Sequence, residues 1–266
     1  MPQPAILDDR AILSLTGEGA RDFLQGLITN DMNACTPGHS LYAALLTPQG
    51  KLLFEFIVSA HDGGFLLDCA AATAPDLMKR LAMYRLRAKI DIAKRDDLSV
   101  ATSWDGNLAE APDDPRLKAL GKRGIVPRSG SDGTESYHAH RLSLGVPDSA
   151  DLPPDTVFPL DAGLEELHGV SFKKGCYVGQ EVTARMKHRG SARRRMLIAN
   201  VDGKLPRPGT PVVAEGRELG TLATGAGVRA LALIRLDRLD DARAAGTPIT
   251  AAGQRVTLVK PDWLSL

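Results

Sequence analysis

The chain has 266 residues, 43% of them hydrophobic and 24% charged, with a net charge of +1. That length allows a sizeable core divided among roughly one to three domains, and the near-neutral balance excludes attachment to nucleic acid by bulk charge while leaving a local basic patch open. No apolar run approaches the roughly 18 residues of a membrane-spanning helix, and the opening "MPQPAILDDRAILSL" has no basic region ahead of an apolar run, so the expectation is a cytoplasmic protein with no membrane association.

In chain order, "TGEGARDFLQGLITND" (16–31) predicts a helix capped by Thr16, with Phe23, Leu24, Leu27 and Ile28 on one face. "SLYAALLTPQGKLLFEFIVSA" reads as a β-hairpin around "TPQGK", and "GGFLLDCA" (63–70) as a further strand. Pro75 opens a second helix whose buried stripe is Leu77, Leu81 and Tyr84. Short apolar runs, "LSVATSW" and "RGIVPR", follow, and "GTESYHAHRLSLGVP" predicts a helix that stops at Gly145. Residues 148–160 read as an extended connector, and Glu165 and Glu166 in "DAGLEELHG" (161–169) as a polar helix face. Beyond Arg195, short runs between Gly, Pro and Asp-Gly turns predict a small antiparallel barrel or sandwich. The pattern divides the chain into an α+β body (1–190) and an all-β unit (191–266).

Cys35, Cys69 and Cys176 are too far apart for a CxxC or zinc pattern and read as reduced thiols. Cys176 is the one in an unusual setting. Gly175 and Gly179 bracket it, permitting special backbone angles or a close ligand approach. Lys173 and Lys174 precede it, and their charge would favour thiolate. A small packed side chain and a reactive thiol both fit these residues. Cys176 has no neighbouring cysteine, so any iron–sulfur cluster it ligates would be transient or shared. Lys187, Arg189, Arg193, Arg194 and Arg195 form the strongest local positive run, readable as a solvated face or as an anion site. The run lacks interleaved aromatics, which disfavours direct nucleic-acid binding. Asp161, between Pro-Leu and Ala-Gly-Leu, is placed to offer a carboxylate to a ligand.

"KGCYVGQE" (174–181) resembles the signature of the YgfZ-type folate-binding protein family, whose mitochondrial counterparts assist iron–sulfur cluster assembly. "GEGARDFLQGLITNDM", "YAALLTPQGKLLFEFIV", "YRLRAKI", "GVSFKKGCYVGQEVTARMKHRG" and "ALALIRLDRL" resemble family segments in the same order. That family is similar to the glycine cleavage T-protein, an aminomethyltransferase that uses tetrahydrofolate. The resemblance implies an α+β fold, a three-lobed ring of two interwoven α+β modules that divide near residue 95, plus a C-terminal antiparallel β-barrel.

The resemblance also implies a function: a tetrahydrofolate-binding accessory factor for assembly or repair of iron–sulfur proteins, acting on tRNA thiolation indirectly. Its partners would be iron–sulfur carrier or client proteins. Cys176 would supply the working thiol. Asp161 would hold the pterin, where the T-protein has a glutamate, and Arg194 or a neighbouring arginine would meet the folate tail. Lys174, Tyr177, Gln180, Glu181 and Arg189 complete the implied tetrahydrofolate (or one-carbon folate) site. Phe54 and Glu55 stand where the T-protein has a paired Asp-Asp, a departure that counts against aminomethyl transfer. The alternatives are a folate-dependent one-carbon transferase and a tRNA-binding module.

Overall fold

The computed structural model describes residues 4–104, 106, 108, 110–190 and 193–265. The chain starts with β1 (Ala5–Leu7), β2 (Arg10–Thr16) and helix α1 (Ala20–Gln25). Then come β3 (Leu41–Leu46), β4 (Leu52–His61), β5 (Gly64–Ala70), α2 (Ala74–Arg85) and β6 (Asp91–Lys94). The next elements are β7 (Leu98–Ser103), β8 (Lys122–Pro127), α3 (Thr134–Ser143) and α4 (Gln180–Arg189). The last part holds β9 (Arg194–Val201), β10 (Pro211–Ala214), β11 (Arg217–Ala226), β12 (Arg229–Arg235), α5 (Leu236–Ala244), β13 (Ile249–Ala251) and β14 (Gln254–Val259).

Three antiparallel sheets result. A five-stranded sheet runs β3-β4-β5-β2-β6, a three-stranded sheet runs β1-β7-β8, and β10-β11-β12-β9-β14-β13 closes into a barrel. The chain leaves the small sheet after β1, builds the large one, and returns at β7, so the two modules interweave. Alternation along β2 buries the large sheet on both faces. Ala11, Leu13 and Leu15 join the core beneath α1 and α2, while Ile12 faces a second core with Tyr42, Ala44 and Leu66. That second core continues through Tyr137 of α3 and Leu164 to Met196, Ile198 and Leu231 on the outside of the barrel. One apolar volume therefore joins all three units.

The hairpin, the strand at 63–70, the second helix with Leu77 and Leu81 buried, and the barrel stand where the sequence places them. Helix α3 closes as expected: Gly145 and Val146 N–H donate to the Leu142 and Arg141 carbonyls, ahead of Pro147.

Four expectations need correction. The helix over 16–31 shrinks to α1, because Thr16 is still in β2, paired with Gly64 and Asp91. The connector carries a 3-10 turn, Ser149–Asp151, capped by Asp148. Residues 161–168 form consecutive turns in place of a helix. Helix α5 interrupts the unit read as all-β, and helix α4 occupies a stretch for which no element was expected. The expected junction at 190/191 adjoins residues 191 and 192, which lie outside the described residues. Among the described residues no helix is long and apolar enough to cross a membrane.

Candidate functional site

The segment around Cys176 is held from both sides and leaves the thiol outside. The Lys174 side chain turns inward, where its ammonium donates to the main-chain carbonyls of Gln25, Ile28 and Asn30 at 2.7, 2.6 and 2.9 Å. Burial pulls the Lys174 ammonium down to about 8, although three carbonyls and Asp31 favour its charged form. Tyr177, three residues on, is buried in the second core, its ring centroid 5.0 Å from the Lys174 ammonium. Burial pushes its hydroxyl up to about 12.

Between these two anchors Cys176 is exposed, whereas Cys35 and Cys69 are buried. Burial raises the Cys35 thiol to about 11 and the Cys69 thiol to about 12. The Lys174 ammonium has its three donors on main-chain carbonyls, and the Tyr177 ring packs in the second core.

The segment docks on the β3–β4 turn through two glycines. Gly179 sits at φ +82, and a Cβ there would lie 2.5 Å from the Thr47 carbonyl oxygen. Gly50, at φ +79, would place a Cβ 2.8 Å from the Val182 Cβ on α4. Close backbone approach thus joins "TPQG" to "GCYVGQ". Immediately beyond, α4 carries Gln180 in its first turn, half-buried, and Glu181 exposed and paired with Arg185. Arg189 is exposed in its last turn.

Asp161 lies in the turns ahead of this segment. Its carboxylate is buried, 3% exposed for the residue, and accepts the Arg194 Nε–H at 3.1 Å from the start of β9. Burial raises its carboxyl above the ordinary carboxylate value, and Arg194 opposes the rise. Arg195 donates to the Leu160 and Arg194 carbonyls, and Lys187 pairs with Glu165. The basic run is therefore partly spent inside the molecule: Arg194, Arg195 and Lys187 have partners, while Arg189 and Arg193 point outward. Asp161 and Arg194 form one pair, and Lys174 and Tyr177 another.

A feature that motif reading missed fills the junction of the three units. Asp68 of β5 accepts from Arg10 Nε at 2.6 Å and from Arg123 Nε of β8 at 2.7 Å, bridging the two sheets. Arg10 also reaches Glu55 at 3.1 Å, and Glu55 accepts the Ser149 hydroxyl. Arg116 and Asp114 pair through two hydrogen bonds, with Tyr137 between Arg116 and Arg123. Arg141 of α3 binds Asp148 and Asp151, and Asp151 accepts the Thr224 N–H of β11 in the barrel. Burial pushes the Asp68 and Asp114 carboxyls up, but Arg10 and Arg123 for the first, and Arg116 and Arg123 for the second, hold both below the ordinary value. The available signal was a charge inside an apolar strand, Glu55 in "LLFEFIV" and Asp68 in "FLLDCA".

Residues 193–266 match the family model described as the C-terminal β-barrel domain of CAF17. The chain is 32% identical to the mitochondrial iron–sulfur cluster assembly factor IBA57 of Mus musculus, over 97% of this chain and 84% of that protein. It is 33% identical to the mitochondrial IBA57 of Homo sapiens with the same coverage. Among solved structures it resembles the glycine cleavage system aminomethyltransferase T of Bartonella henselae, with a TM-score of 0.75 and 16% identity. That match covers 98% of this chain and 86% of the other, and it establishes the T-protein-like fold alone. The cytoplasmic expectation is corrected, because these IBA57 relatives are mitochondrial proteins. With this identity spanning nearly the whole chain, the protein belongs to the family of IBA57 iron–sulfur cluster assembly factors.

Proposed function

We propose that this protein is an assembly or repair factor for iron–sulfur proteins, of the YgfZ type, that binds tetrahydrofolate or a one-carbon derivative and works through Cys176. One observation carries the reading: Cys176 is the exposed thiol, presented between two buried anchors, while Cys35 and Cys69 are buried with raised pKa values. A cluster needs about four ligands, commonly thiolates. Among the described residues no three His, Cys, Asp or Glu side chains converge to hold a metal. Cys176 would accordingly share a cluster, as passing cargo, with the thiols of a carrier or client protein. Effects on tRNA thiolation follow indirectly, through tRNA-modifying enzymes that carry such clusters.

Asp161 fits a pterin. A buried carboxylate with only part of its acceptor capacity engaged suits the paired N–H donors of an aminopyrimidine ring. Arg194, half-exposed beside it, is placed to meet a folate carboxylate. A one-carbon transferase is less well supported. Phe54 cannot carry a proton, and Glu55 is committed to Arg10 and Ser149. A direct tRNA-binding role is weakened by the internal pairing of Lys187 and Arg194.

The test is an anaerobic titration of tetrahydrofolate into the wild type, Asp161→Ala and Cys176→Ala. The reading predicts that Asp161→Ala loses at least tenfold in affinity while Cys176→Ala binds as the wild type does. No binding by any form removes the folate assignment and leaves the thiol to be judged on its own.

A further inference from the structure

Helix α2 ends in a turn that leucine resists. Leu86 has φ +46 and ψ −107, and the Ala88 N–H donates to the Arg85 carbonyl at 2.7 Å. These are close to the angles of the second residue in a type II′ turn, a position glycine fills because it lacks a Cβ. Leu86 nonetheless stands 88% exposed, and Met83, one helical turn earlier, 62% exposed. Neither packing nor backbone preference accounts for a leucine here, and strain kept at an exposed apolar residue points to use.

The surroundings are basic. Residues 77–90 contain Lys79, Arg80, Arg85, Arg87 and Lys89 and no carboxylate. Arg85 complements the helix C-terminus and donates to the Ile90 carbonyl at 3.4 Å. Lys79, Arg80, Arg87 and Lys89 have no ion-pair partner among the described residues. This patch differs from the run at 187–195, where much of the charge is met from within.

We infer that Met83 and Leu86, on a segment that also carries Arg80, Arg87 and Lys89, form a docking knob for an acidic protein whose surface offers an apolar pocket rimmed by carboxylates. An apolar centre with a charged rim is the usual anatomy of a specific protein interface. The surrounding cations would steer an acidic partner toward it. A membrane surface is the poorer match, since lipid takes up a broad apolar face and needs no single side chain held at a fixed angle. The inference is independent of folate and of Cys176.

Leu86→Gly separates the roles, because glycine relieves the turn while removing the knob. A photoreactive diazirine amino acid placed at position 86 in cells traps the occupant, and the trapped protein is then purified and titrated with the unmodified chain. The expected result is tight binding by the wild type that weakens with salt. Leu86→Gly and the double variant Arg87→Glu/Lys89→Glu should each bind at least tenfold more weakly, with Leu86→Gly melting no lower than the wild type. Equal binding by Leu86→Gly, or no protein adduct at all, overturns the inference. So does flotation of the wild type, lost in Leu86→Gly, with vesicles of 70% phosphatidylcholine and 30% phosphatidylserine, which would make the knob a lipid anchor.

Discussion

Lys174→Met tests whether this lysine pins the segment that carries Cys176. Methionine keeps the length of the chain and loses all three hydrogen bonds to the carbonyls of Gln25, Ile28 and Asn30. Each carbonyl left without its donor costs about 1 kcal/mol at the lower end of the range for buried acceptors. Removing a buried ammonium returns part of that total, so the net loss should be about 2–3 kcal/mol. For a chain of this size about 2–4 °C accompanies each kcal/mol, which places the melting temperature roughly 4–12 °C lower. Calorimetry reads the shift, and hydrogen exchange should localise the new opening to residues 25–30 and 174–179. A tetrahydrofolate titration on the same variant supplies the refutation. If Lys174→Met melts with the wild type but no longer binds folate, Lys174 is a cofactor ligand and the pin is wrong.

Three further outcomes follow from the same geometry. At pH 7.5 thiols with values of about 11 and about 12 are thiolate only on the order of one part in 10³ to 10⁵. Mass spectrometry after brief iodoacetamide treatment should therefore find one label, on Cys176, in the native protein and three in denaturant. Gly179→Ala should cost about 1–3 kcal/mol through its φ of +82 and the Thr47 carbonyl, lowering the melting temperature and changing the labelling rate of Cys176. Asp68→Asn removes the carboxylate that Arg10 and Arg123 share, leaving Arg10 with Glu55 and Arg123 with Tyr137 and the more distant Asp114, and should cost about 3 kcal/mol, the low end for a broken buried pair. The folded Asp68 carboxyl lies below its unfolded value. Its contribution is thus full above about pH 3.9 and lost as pH falls through the lower folded value. In urea titrations the variant should show a shallower acid limb than the wild type, and an unchanged acid limb would count against the bridge.

Elements with strong period-two or helical patterns and punctuated ends were legible in the sequence. The "TPQG" hairpin, α2 and the short barrel strands are of that kind. Helix α4 escaped because "QEVTARMKHR" has no apolar stripe to read: only Thr183 is buried, and its docking is set by glycines on the facing turn. Helix α5 buries only Leu239 and Ala242. Lys173 and Lys174 look equivalent in sequence, yet one is exposed and the other fixed to carbonyls about 150 residues earlier. The ionic junction depends on partners up to 94 residues apart, such as Glu55 and Ser149, which no local spacing reveals. Cys176 could be singled out from its glycines and its motif, but its exposure, against the burial of the other two thiols, required the fold.

The central claim is that Cys176 is the working thiol in iron–sulfur protein assembly. Its most direct test is restoration of the activity of a cluster-containing enzyme in cells deleted for this gene, using Cys176→Ala alongside Cys35→Ala and Cys69→Ala, with folded protein levels matched. The account predicts that the Cys35 and Cys69 variants restore activity like the wild type while Cys176→Ala leaves it at the level of the deletion. Full restoration by Cys176→Ala would contradict it.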